Sequence, residues 1–339
     1  MPGSWGNYVK ITIFGESHGP AVGVTVDGLP AGFAPDMDAV RAHMARRAPG
    51  NSPLSTPRKE ADEFEVLSGL YQGKLTGTPL TAIIRNLGQR SADYSGMPDL
   101  LRPGHADYTG HVRYLGHEDP RGGGHFSGRI TAALTFAGAL ALQWLSSQGV
   151  EIAAKIIGIG PLSGDGLTEE MQDAILAAKA DGDSVGGRIE CRAAGLPAGL
   201  GAPFFDSVES VMAHMLFSIP AVKGVEFGDG FAISALRGSV SNDQMVTENG
   251  IIRHLTNHAG GILGGITNGE PLIVRVAIKP PASIARSQHT VSLKRGVDAV
   301  LAVAGRHDPC IAPRALPVVE SAVALALSEL WKERLTWTN

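Results

Sequence analysis

The sequence predicts an α+β protein that forms one domain, residues 1–339, on largely antiparallel sheet. Segments with alternating apolar residues are interspersed with segments of helical spacing along the whole chain. Their order shows no regular strand–helix–strand repeat, which disfavours a doubly wound parallel sheet. No linker rich in Pro, Gly or Ser divides the 339 residues, so one domain is favoured over two.

Strands are predicted where apolar residues alternate with polar ones or form short β-branched runs. The clearest is LIVRVAIK, residues 272–279, which should lie half-buried in a sheet. The six predicted strands cover residues 10–14, 20–27, 79–85, 150–160, 186–193 and 272–279.

Helices are predicted where helical spacing follows a capping residue. Asp36 begins one that ends near Arg47, and Thr168 begins another. Asp206 and Glu209 have the spacing of a capping box. The five predicted helices cover residues 37–47, 127–147, 169–180, 207–217 and 315–334.

Three long stretches, 48–78, 86–127 and 228–271, lack strong periodicity. Long irregular segments in a compact domain are usually functional or disordered. These stretches hold aromatics, arginines and glycines in non-repetitive order, so we interpret them as binding loops.

The composition is that of a soluble globular protein, with 43% hydrophobic residues and a formal net charge of −4. An acidic balance disfavours general attraction to nucleic acid or anionic membranes. The two cysteines, Cys191 and Cys310, fit a reducing compartment, and the N-terminus lacks the pattern of a signal peptide. We therefore expect a cytoplasmic protein, and the apolar run Ala132–Leu145 is too short for a membrane span.

The motif GESHG, residues 15–19, follows a short predicted strand. Glycines on both sides predict a turn that exposes Ser17 and His18. It is not a nucleophile elbow, because the spacing and flanks differ. Adjacent side chains of extended chain point to opposite sides, so a direct Ser17–His18 nucleophile–base pair is disfavoured. A structural turn with a surface histidine is the alternative.

Four histidines fall within residues 102–129, and three of them, His105, His111 and His117, are spaced by six. That spacing raises the hypothesis of a metal site, with Asp107 or Glu118 as further ligands. Metal ligands usually lie two to five residues apart, so we expect no metal.

The arginines of the same stretch favour an anion instead. Guanidinium groups and free backbone N–H groups of a glycine run suit phosphate or carboxylate. The predicted anion cradle consists of Arg102, Arg113, Arg121, Arg129, residues 122–124 and Ser127. A solvated basic loop is the alternative.

Three weaker signals lie elsewhere. Residues 46–69 place Arg46, Arg47, Arg58 and Lys59 beside turn residues, which modestly favours binding. GRHDPC, residues 305–310, sets a His beside an Asp, a pair that can serve acid–base chemistry in a cleft. Residues 257–271 are dense in glycine but fit neither a dinucleotide fingerprint nor a P-loop.

Taken in order, the motifs GESHG, RRAPG, RPGHADYTG, NHAGGILGG, KPPAS and GRHDPC resemble those of the chorismate synthase family over essentially the whole chain. The resemblance implies a β-α-β sandwich that assembles as a homotetramer. It implies a lyase of the shikimate pathway, which serves aromatic amino acid biosynthesis. The expected reaction is the 1,4-anti elimination of phosphate from 5-enolpyruvylshikimate 3-phosphate to give chorismate, with reduced FMN (FMNH2) and no net redox change.

The resemblance also assigns catalytic roles by motif. His18 should donate a proton near the departing phosphate, with Ser17 in support. His105 should protonate or stabilise the reduced flavin, and Asp308 should assist removal of the substrate proton. Ser127 should help hold substrate and flavin.

Binding residues follow from the same motifs. Arg47 and Arg129 should bind the substrate or the phosphate of NADP. The flavin should contact His125, Phe126, Ser127, Pro220, Ala221, Gly264, Lys279, Pro280, Pro281, Ala282, Ser283 and Arg306. Since no reductase domain is evident, an external flavin reductase is expected as a partner.

The chain departs from the family pattern at three positions. Many members read Arg–Ser–Ser–Ala–Arg–Glu–Thr at residues 125–131. This chain has His125 in place of the first arginine and Ile130 in place of the glutamate. Pro53 stands where the family commonly has a further arginine after the RRAPG motif. These changes keep two alternatives open. One is a phosphatase built on the three spaced histidines, and the other is a flavin- or anion-binding protein without catalysis.

Overall fold

The computed structural model describes residues 3–50, 52–56, 61–87, 99–303, 305 and 307–338. Two five-stranded antiparallel sheets enclose a layer of helices in this part of the chain. The α+β class with largely antiparallel sheet is therefore confirmed.

Several strands alternate in burial, as strands of half-covered sheets do. In chain order they are β1 (Ser4–Trp5), β2 (Lys10–Gly15), β3 (Ala21–Asp27), β4 (Phe64–Ser68), β5 (Leu70–Tyr71), β6 (Lys74–Leu75), β7 (Leu80–Arg85), β8 (Glu151–Ile159), β9 (Leu162–Ser163), β10 (Gly187–Ala194), β11 (Val222–Phe227), β12 (Met245–Glu248), β13 (Ile251–His254), β14 (Ile262–Leu263), β15 (Ile266–Thr267), β16 (Leu272–Ile278), β17 (Gln288–Ser292) and β18 (Val297–Leu301).

The helices are largely those that the caps and spacing predict. They are α1 (Met37–Arg47), α2 (Asp107–Arg113), α3 (Thr131–Ser147), α4 (Glu169–Ala180), α5 (Val208–Phe217), α6 (Gly238–Ser241) and α7 (Ala312–Thr338).

The first sheet has the order β1-β2-β3-β7-β4, and the second has the order β11-β16-β10-β8-β9. In both sheets every neighbouring pair is antiparallel. β16 lies between β10 and β11, which explains why its apolar residues alternate so regularly and why Val274 and Val276 are buried.

Helices α3 and α7 form the centre of the layer between the sheets. α3 packs on β3 and β7, while α7 packs on β8 and β10. The two helices approach closely because Gly138 has no side chain: a Cβ there would lie 2.0 Å from the Cβ of Ser321. Residues 128–147 are long and apolar enough to cross a membrane, but 72% of that segment is buried inside the protein. Its apolar character is that of a core helix.

Several sequence predictions are corrected in detail. The cap of α5 is Ser207, whose side chain accepts from the amide of Ser210, and Asp206 instead ends a short 3-10 turn. Ser207 takes this position because its extended backbone directs the hydroxyl at the first turn. Residues 128–130 form a 3-10 turn before α3, and α7 begins at Ala312 rather than 315.

The stretches interpreted as binding loops are partly regular. Residues 48–78 contain β4, β5 and β6, and residues 228–271 contain two hairpins. Residues 86–127 contain α2. Short strands of two to five residues are too brief to produce a clear period, which is why the sequence did not predict them.

The two cysteines are buried thiols. Burial raises the pKa of the Cys310 thiol to about 11 and raises that of the Cys191 thiol well above its usual range. Because the thiolate is the reactive form, we expect neither cysteine to react with Ellman's reagent at pH 8 in the folded protein. Both should react after unfolding in guanidinium chloride. Rapid release of colour from the folded protein would contradict this packing.

Candidate active site

A cavity of about 930 Å³ lies where the ends of both sheets meet the helix layer. Its wall is built from separate parts of the chain. These include the end of α1, the loop before α2, the glycine run before α3, the start of β11, residues 279–283 and the start of α7. The arginines on this wall are Arg47, Arg102, Arg129 and Arg314, and the lysines are Lys223 and Lys279. Asp308 is the one carboxylate among the described residues that line it.

The GESHG turn is buried, contrary to the exposure that its glycines suggested. Ser17 and His18 are 3% and 4% exposed. Ser17 lines the cavity, whereas His18 lies directly behind Gly122 and is not part of the wall. The amide of Ser17 donates to the carbonyl of Gly124 at 3.0 Å, so the glycine run covers the turn.

The glycine run owes its shape to backbone that other residues avoid. Gly122, Gly123 and Gly124 have φ values of 61°, 89° and 52°. A Cβ on Gly122 would lie 2.0 Å from the ring of His18, and one on Gly123 would lie 3.0 Å from the ring of His105. Gly122 and Gly123 therefore bring the backbone against His18 and His105 respectively.

The loop before α2 holds His105 in a charged cluster. Asp107 Oδ1 lies 2.6 Å from His105 Nδ1 and accepts from Arg102 Nη2 at 2.7 Å. Arg102 Nε donates to the other carboxylate oxygen at 2.8 Å. Burial alone would raise the pKa of Asp107, but the hydrogen bonds from Arg102 and His105 outweigh it and hold that pKa well below its usual range. The carboxylate thus fixes the ring of His105 and leaves Nε2 as the nitrogen that can exchange a proton.

A second carboxylate, Asp62, fixes two arginines. Arg47 Nε donates to Asp62 Oδ2 at 3.0 Å, and Arg129 Nη1 donates to Asp62 Oδ1. The side chain of Asp62 is fully buried, and its φ of 52° is unusual for a residue with a side chain. Both arginines reach the cavity wall while Asp62 sets their direction.

Asp308 is anchored from two sides. Its Oδ1 accepts from the amide of Thr56 at 2.8 Å, and its Oδ2 accepts from Arg314 Nη1. Arg314 Nε also donates to the carbonyl of Arg47 at 3.0 Å. Arg314 thereby links Asp308 to the end of α1, on the same wall as the arginines.

Within the described residues, the predicted flavin contacts lie together on the cavity wall with one exception. The wall includes His125, Phe126, Ser127, Pro220, Ala221 and residues 279–283. Lys279 Nζ donates to the carbonyl of Gly104, which joins residues 279–283 to the loop of His105. Gly264 lies in the β14–β15 turn and is not part of the wall. Arg306 lies outside the described residues.

Two of the four arginines of the predicted anion cradle do not line the cavity. Arg102 and Arg129 line the cavity, but Arg121 pairs with Asp119 at 2.7 Å on the surface, and Arg113 is exposed at the end of α2. Three positive φ values turn the chain sharply at 122–124, which separates Arg121 from the cavity.

The other basic residues that the sequence suggested as ligands have local partners or fall outside the described residues. Arg46 donates to Glu320 at 2.6 Å and 2.9 Å, away from the cavity. His111 Nδ1 lies 3.0 Å from Glu118 Oε1. No group of three metal-ligating side chains comes together within the described ranges, so the spaced histidines provide no donor set. Arg58 and Lys59 fall outside those ranges.

The positions of family departure have defined surroundings. His125 Nδ1 lies 2.8 Å from the carbonyl of Gly15, so it joins the glycine run to the end of β2. Ile130 is buried and lines the cavity. The carbonyl of Pro53 accepts from Lys179 Nζ at 3.0 Å.

Sequence reasoning missed the residues that hold others in place. Asp107 was considered only as a metal ligand, and Asp62, Asn86 and Arg314 were not considered. The His-x-Asp spacing of His105 and Asp107 was the one usable signal, since an Asp two residues away can reach the ring. The other partners are brought together only by the fold.

Fold and site define a β-α-β sandwich with a basic, histidine-bearing cavity between its layers. A sequence profile described as Chorismate synthase matches residues 9–331. Chorismate synthase from Parabacteroides distasonis is 45% identical over 96% of this chain and 96% of that protein. The one from Methanocella arvoryzae is 45% identical over 96% and 92%. A crystal structure of chorismate synthase superposes with a TM-score of 0.76 at 26% identity, over 98% of this chain and 94% of that one. The chain belongs to the chorismate synthase family.

Proposed function

We propose that the protein is a lyase that converts 5-enolpyruvylshikimate 3-phosphate to chorismate. In this 1,4-anti elimination the bond from C3 to the phosphate oxygen breaks, a proton leaves C6, and the electrons of that C–H bond remain in the new diene. The proposal rests on family membership and on one observation above all. Four arginines and two lysines line the cavity against the single described carboxylate of Asp308.

The arginines suit a substrate that carries both carboxylate and phosphate. Charge grows on the phosphate as it departs, and guanidinium groups already fixed in position stabilise that charge without reorganising. Asp62 fixes Arg47 and Arg129, and Asp107 fixes Arg102. We propose that Arg47 and Arg129 bind the substrate or the phosphate of NADP.

The two histidines have different surroundings and therefore different proposed tasks. His105 lies on the wall with Nδ1 held by Asp107, so we assign it proton transfer to the flavin. His18, behind Gly122 and beside Ser17, is proposed to donate a proton towards the departing phosphate. Ser17 lines the wall and would carry that proton relay to the cavity.

Asp308 is proposed to assist removal of the C6 proton. Its carboxylate reaches the wall while both oxygens are held by donors from Thr56 and Arg314. A positioned carboxylate can accept a proton or order the group that does. Ser127, at the start of the turn before α3, is proposed to hold substrate and flavin.

The cavity fits reduced FMN in size and chemistry. A volume of about 930 Å³ accommodates a flavin together with a small substrate. Residues that would hold it are His125, Phe126, Ser127, Pro220, Ala221 and residues 279–283. Arg306 is added on the family motif alone. When bound, reduced FMN supplies reversible electron donation to the substrate, so the reaction has no net redox change.

The test is an anaerobic assay with the substrate and chemically reduced FMN, followed by detection of chorismate. We expect product from the wild-type protein and about 100-fold less from Asp308→Asn, because catalysis by a positioned proton acceptor contributes about 100- to 10,000-fold. A known chorismate synthase serves as positive control. If that control works and the wild-type protein gives no chorismate, the proposal fails.

The assay also separates the alternatives. Phosphate release that needs metal but not flavin would favour a phosphatase, and flavin binding without chorismate would favour a binding protein. We propose that an external flavin reductase supplies the reduced cofactor. Chorismate formed aerobically from NADPH and FMN without a second protein would contradict this.

A homotetramer of cytoplasmic location is part of the proposal. Large apolar side chains are exposed at several positions along residues 204–263, and exposed apolar side chains that cluster often mark protein–protein contacts. Those more than 60% exposed are Phe204, Phe205, Phe231, Met245, Ile252 and Leu255. Sedimentation equilibrium measures the assembly directly, and a monomer at micromolar concentration would refute it.

A further inference from the structure

Asn86 lies outside the cavity wall but contacts two parts of the site. It follows the last residue of β7 and is 7% exposed. Its Nδ2 donates to the carbonyl of Glu16 at 3.0 Å and to that of Gly19 at 2.8 Å. Its Oδ1 accepts from Arg129 Nε at 2.9 Å. Every polar atom of this amide is therefore used.

The first two contacts close the turn that carries Ser17 and His18. Glu16 and Gly19 stand at the two ends of that turn, and a single amide nitrogen draws both carbonyls together. On the opposite side, the amide of Ser17 donates to Gly124. The turn is held between Asn86 and the glycine run.

The third contact orients Arg129. Its Nε donates to Asn86, its Nη1 donates to Asp62, and its Nη2 donates to the carbonyl of Arg85 at 3.2 Å. Three acceptors in different directions leave the planar guanidinium little freedom to rotate. The direction of Arg129 at the wall is thus linked through one side chain to the position of His18.

An amide is the side chain that meets both requirements. It offers an acceptor on one end and two donors on the other. A carboxylate at position 86 could accept from Arg129, but it would face the carbonyls of Glu16 and Gly19 without a proton to give. An unpaired buried carbonyl beside a carboxylate is unfavourable, so the turn would move.

We propose that Asn86 is a positioning residue that sets the Ser17–His18 turn and Arg129 relative to each other. The role in turnover rests on the proposed function, in which His18 donates a proton and Arg129 binds the anionic substrate. The geometric part does not depend on that function. It states only that the ring of His18 and the guanidinium of Arg129 change position when the amide is lost.

The test compares Asn86→Asp with Asn257→Asp in the full-length protein. Asn257 is a matched control, because its Nδ2 donates to the carbonyl of Pro271 at 2.8 Å and its Oδ1 accepts from Gly261 at 2.6 Å. It does not line the cavity. We expect Asn86→Asp to lower kcat about 100-fold, as a misplaced catalytic group does, and to raise KM. Asn257→Asp should leave both within about threefold of wild type.

A second measurement keeps the proposal independent of the reaction. In protein with isotope-labelled histidine, the signal of His18 is assigned by its loss in His18→Gln. We expect Asn86→Asp to shift this signal and to weaken the binding of inorganic phosphate, whereas Asn257→Asp changes neither. If the wild-type protein makes no chorismate, the proposed function fails while these readouts still judge Asn86.

Several outcomes would overturn the proposal. One is a folded Asn86→Asp protein with an unchanged His18 signal and unchanged phosphate binding. Another is a kcat within about threefold of wild type in an enzyme that does make chorismate. If Asn86→Asp does not fold, Asn86→Ser is used, since a hydroxyl cannot span both carbonyls. If neither folds while Asn257→Asp does, Asn86 serves the fold alone.

Discussion

Replacing Gly122 with Ala should reduce the proposed formation of chorismate by at least about 100-fold, because the new methyl group would occupy the place of the ring of His18, the proposed proton donor. A Cβ at this position would lie 2.0 Å from His18 Cε1 and 3.1 Å from Ser17 Oγ. The ring cannot retreat easily, since His18 is 4% exposed and its turn is bonded to Gly124 and Asn86. The ring or the whole glycine run must move, and the proposed proton transfer from His18 would be lost.

The matched control separates this clash from backbone strain. Gly122 has a φ of 61°, which by itself costs a residue with a side chain about 1 kcal/mol or more. Gly296 has a φ of 63°, and a Cβ there would meet nothing within 4 Å. Gly296→Ala should therefore lose only the stability that the backbone strain costs, as measured by thermal unfolding, and keep its turnover. Equal turnover in the two variants would show that His18 is not needed where the structure places it.

The regular elements were the part of the fold that the sequence predicted best. Residues 272–279 alternate because β16 is covered on one face and paired on both sides, so pattern and environment agree. Asp36 and Thr168 were recognised because a cap is a local interaction between residues two to three apart. The same reasoning failed at Asp206, where Ser207 next to it is an equally good cap and the backbone decides between them.

The site was predictable in its motifs but not in its connections. Composition and charge predicted a local anion site, and family motifs predicted many of the residues that line the cavity. Neither could distinguish Arg102, which enters the cavity, from Arg121, which turns to Asp119. That difference depends on the positive φ values of residues 122–124. The sequence does not specify these values, because glycine tolerates many backbone conformations.

Long-range partners were the residues most completely missed. Asp62 contacts Arg129, 67 residues away, and Asn86 contacts Gly19, 67 residues away. No spacing rule connects such positions, because a sheet and a helix layer must form before they meet. Buried polar groups need hydrogen-bond partners, and here those partners come next to each other only once the chain has folded.

Asp107→Asn should lower turnover about 10- to 100-fold, by analogy with the loss of carboxylates that orient metal-bound histidines. The carboxylate holds His105 Nδ1 at 2.6 Å and is itself bonded by Arg102. An amide of the same shape can accept one of these bonds but carries no charge to fix the donor tautomer of His105. The measurement is kcat under anaerobic conditions, with flavin binding followed separately by fluorescence. Asp99→Asn is the control, since Asp99 accepts from Ser292 Oγ and the amide of Lys294, both at 2.7 Å, and does not line the cavity.

The same variant has a pH signature with a definite sign. The pKa of Asp107 is lowered in the folded protein, so the unfolded chain binds its proton first as the pH falls. The stability that this carboxylate contributes is complete above its unfolded pKa of about 3.9 and is lost as the pH falls further through the folded value. Asp107→Asn should therefore unfold more easily than wild type at pH 7 and at pH 5, and the difference in free energy should shrink below about pH 4. Denaturant titrations at these pH values measure the difference. A gap that widens in acid would mean that Asp107 is not the charged partner of Arg102 and His105.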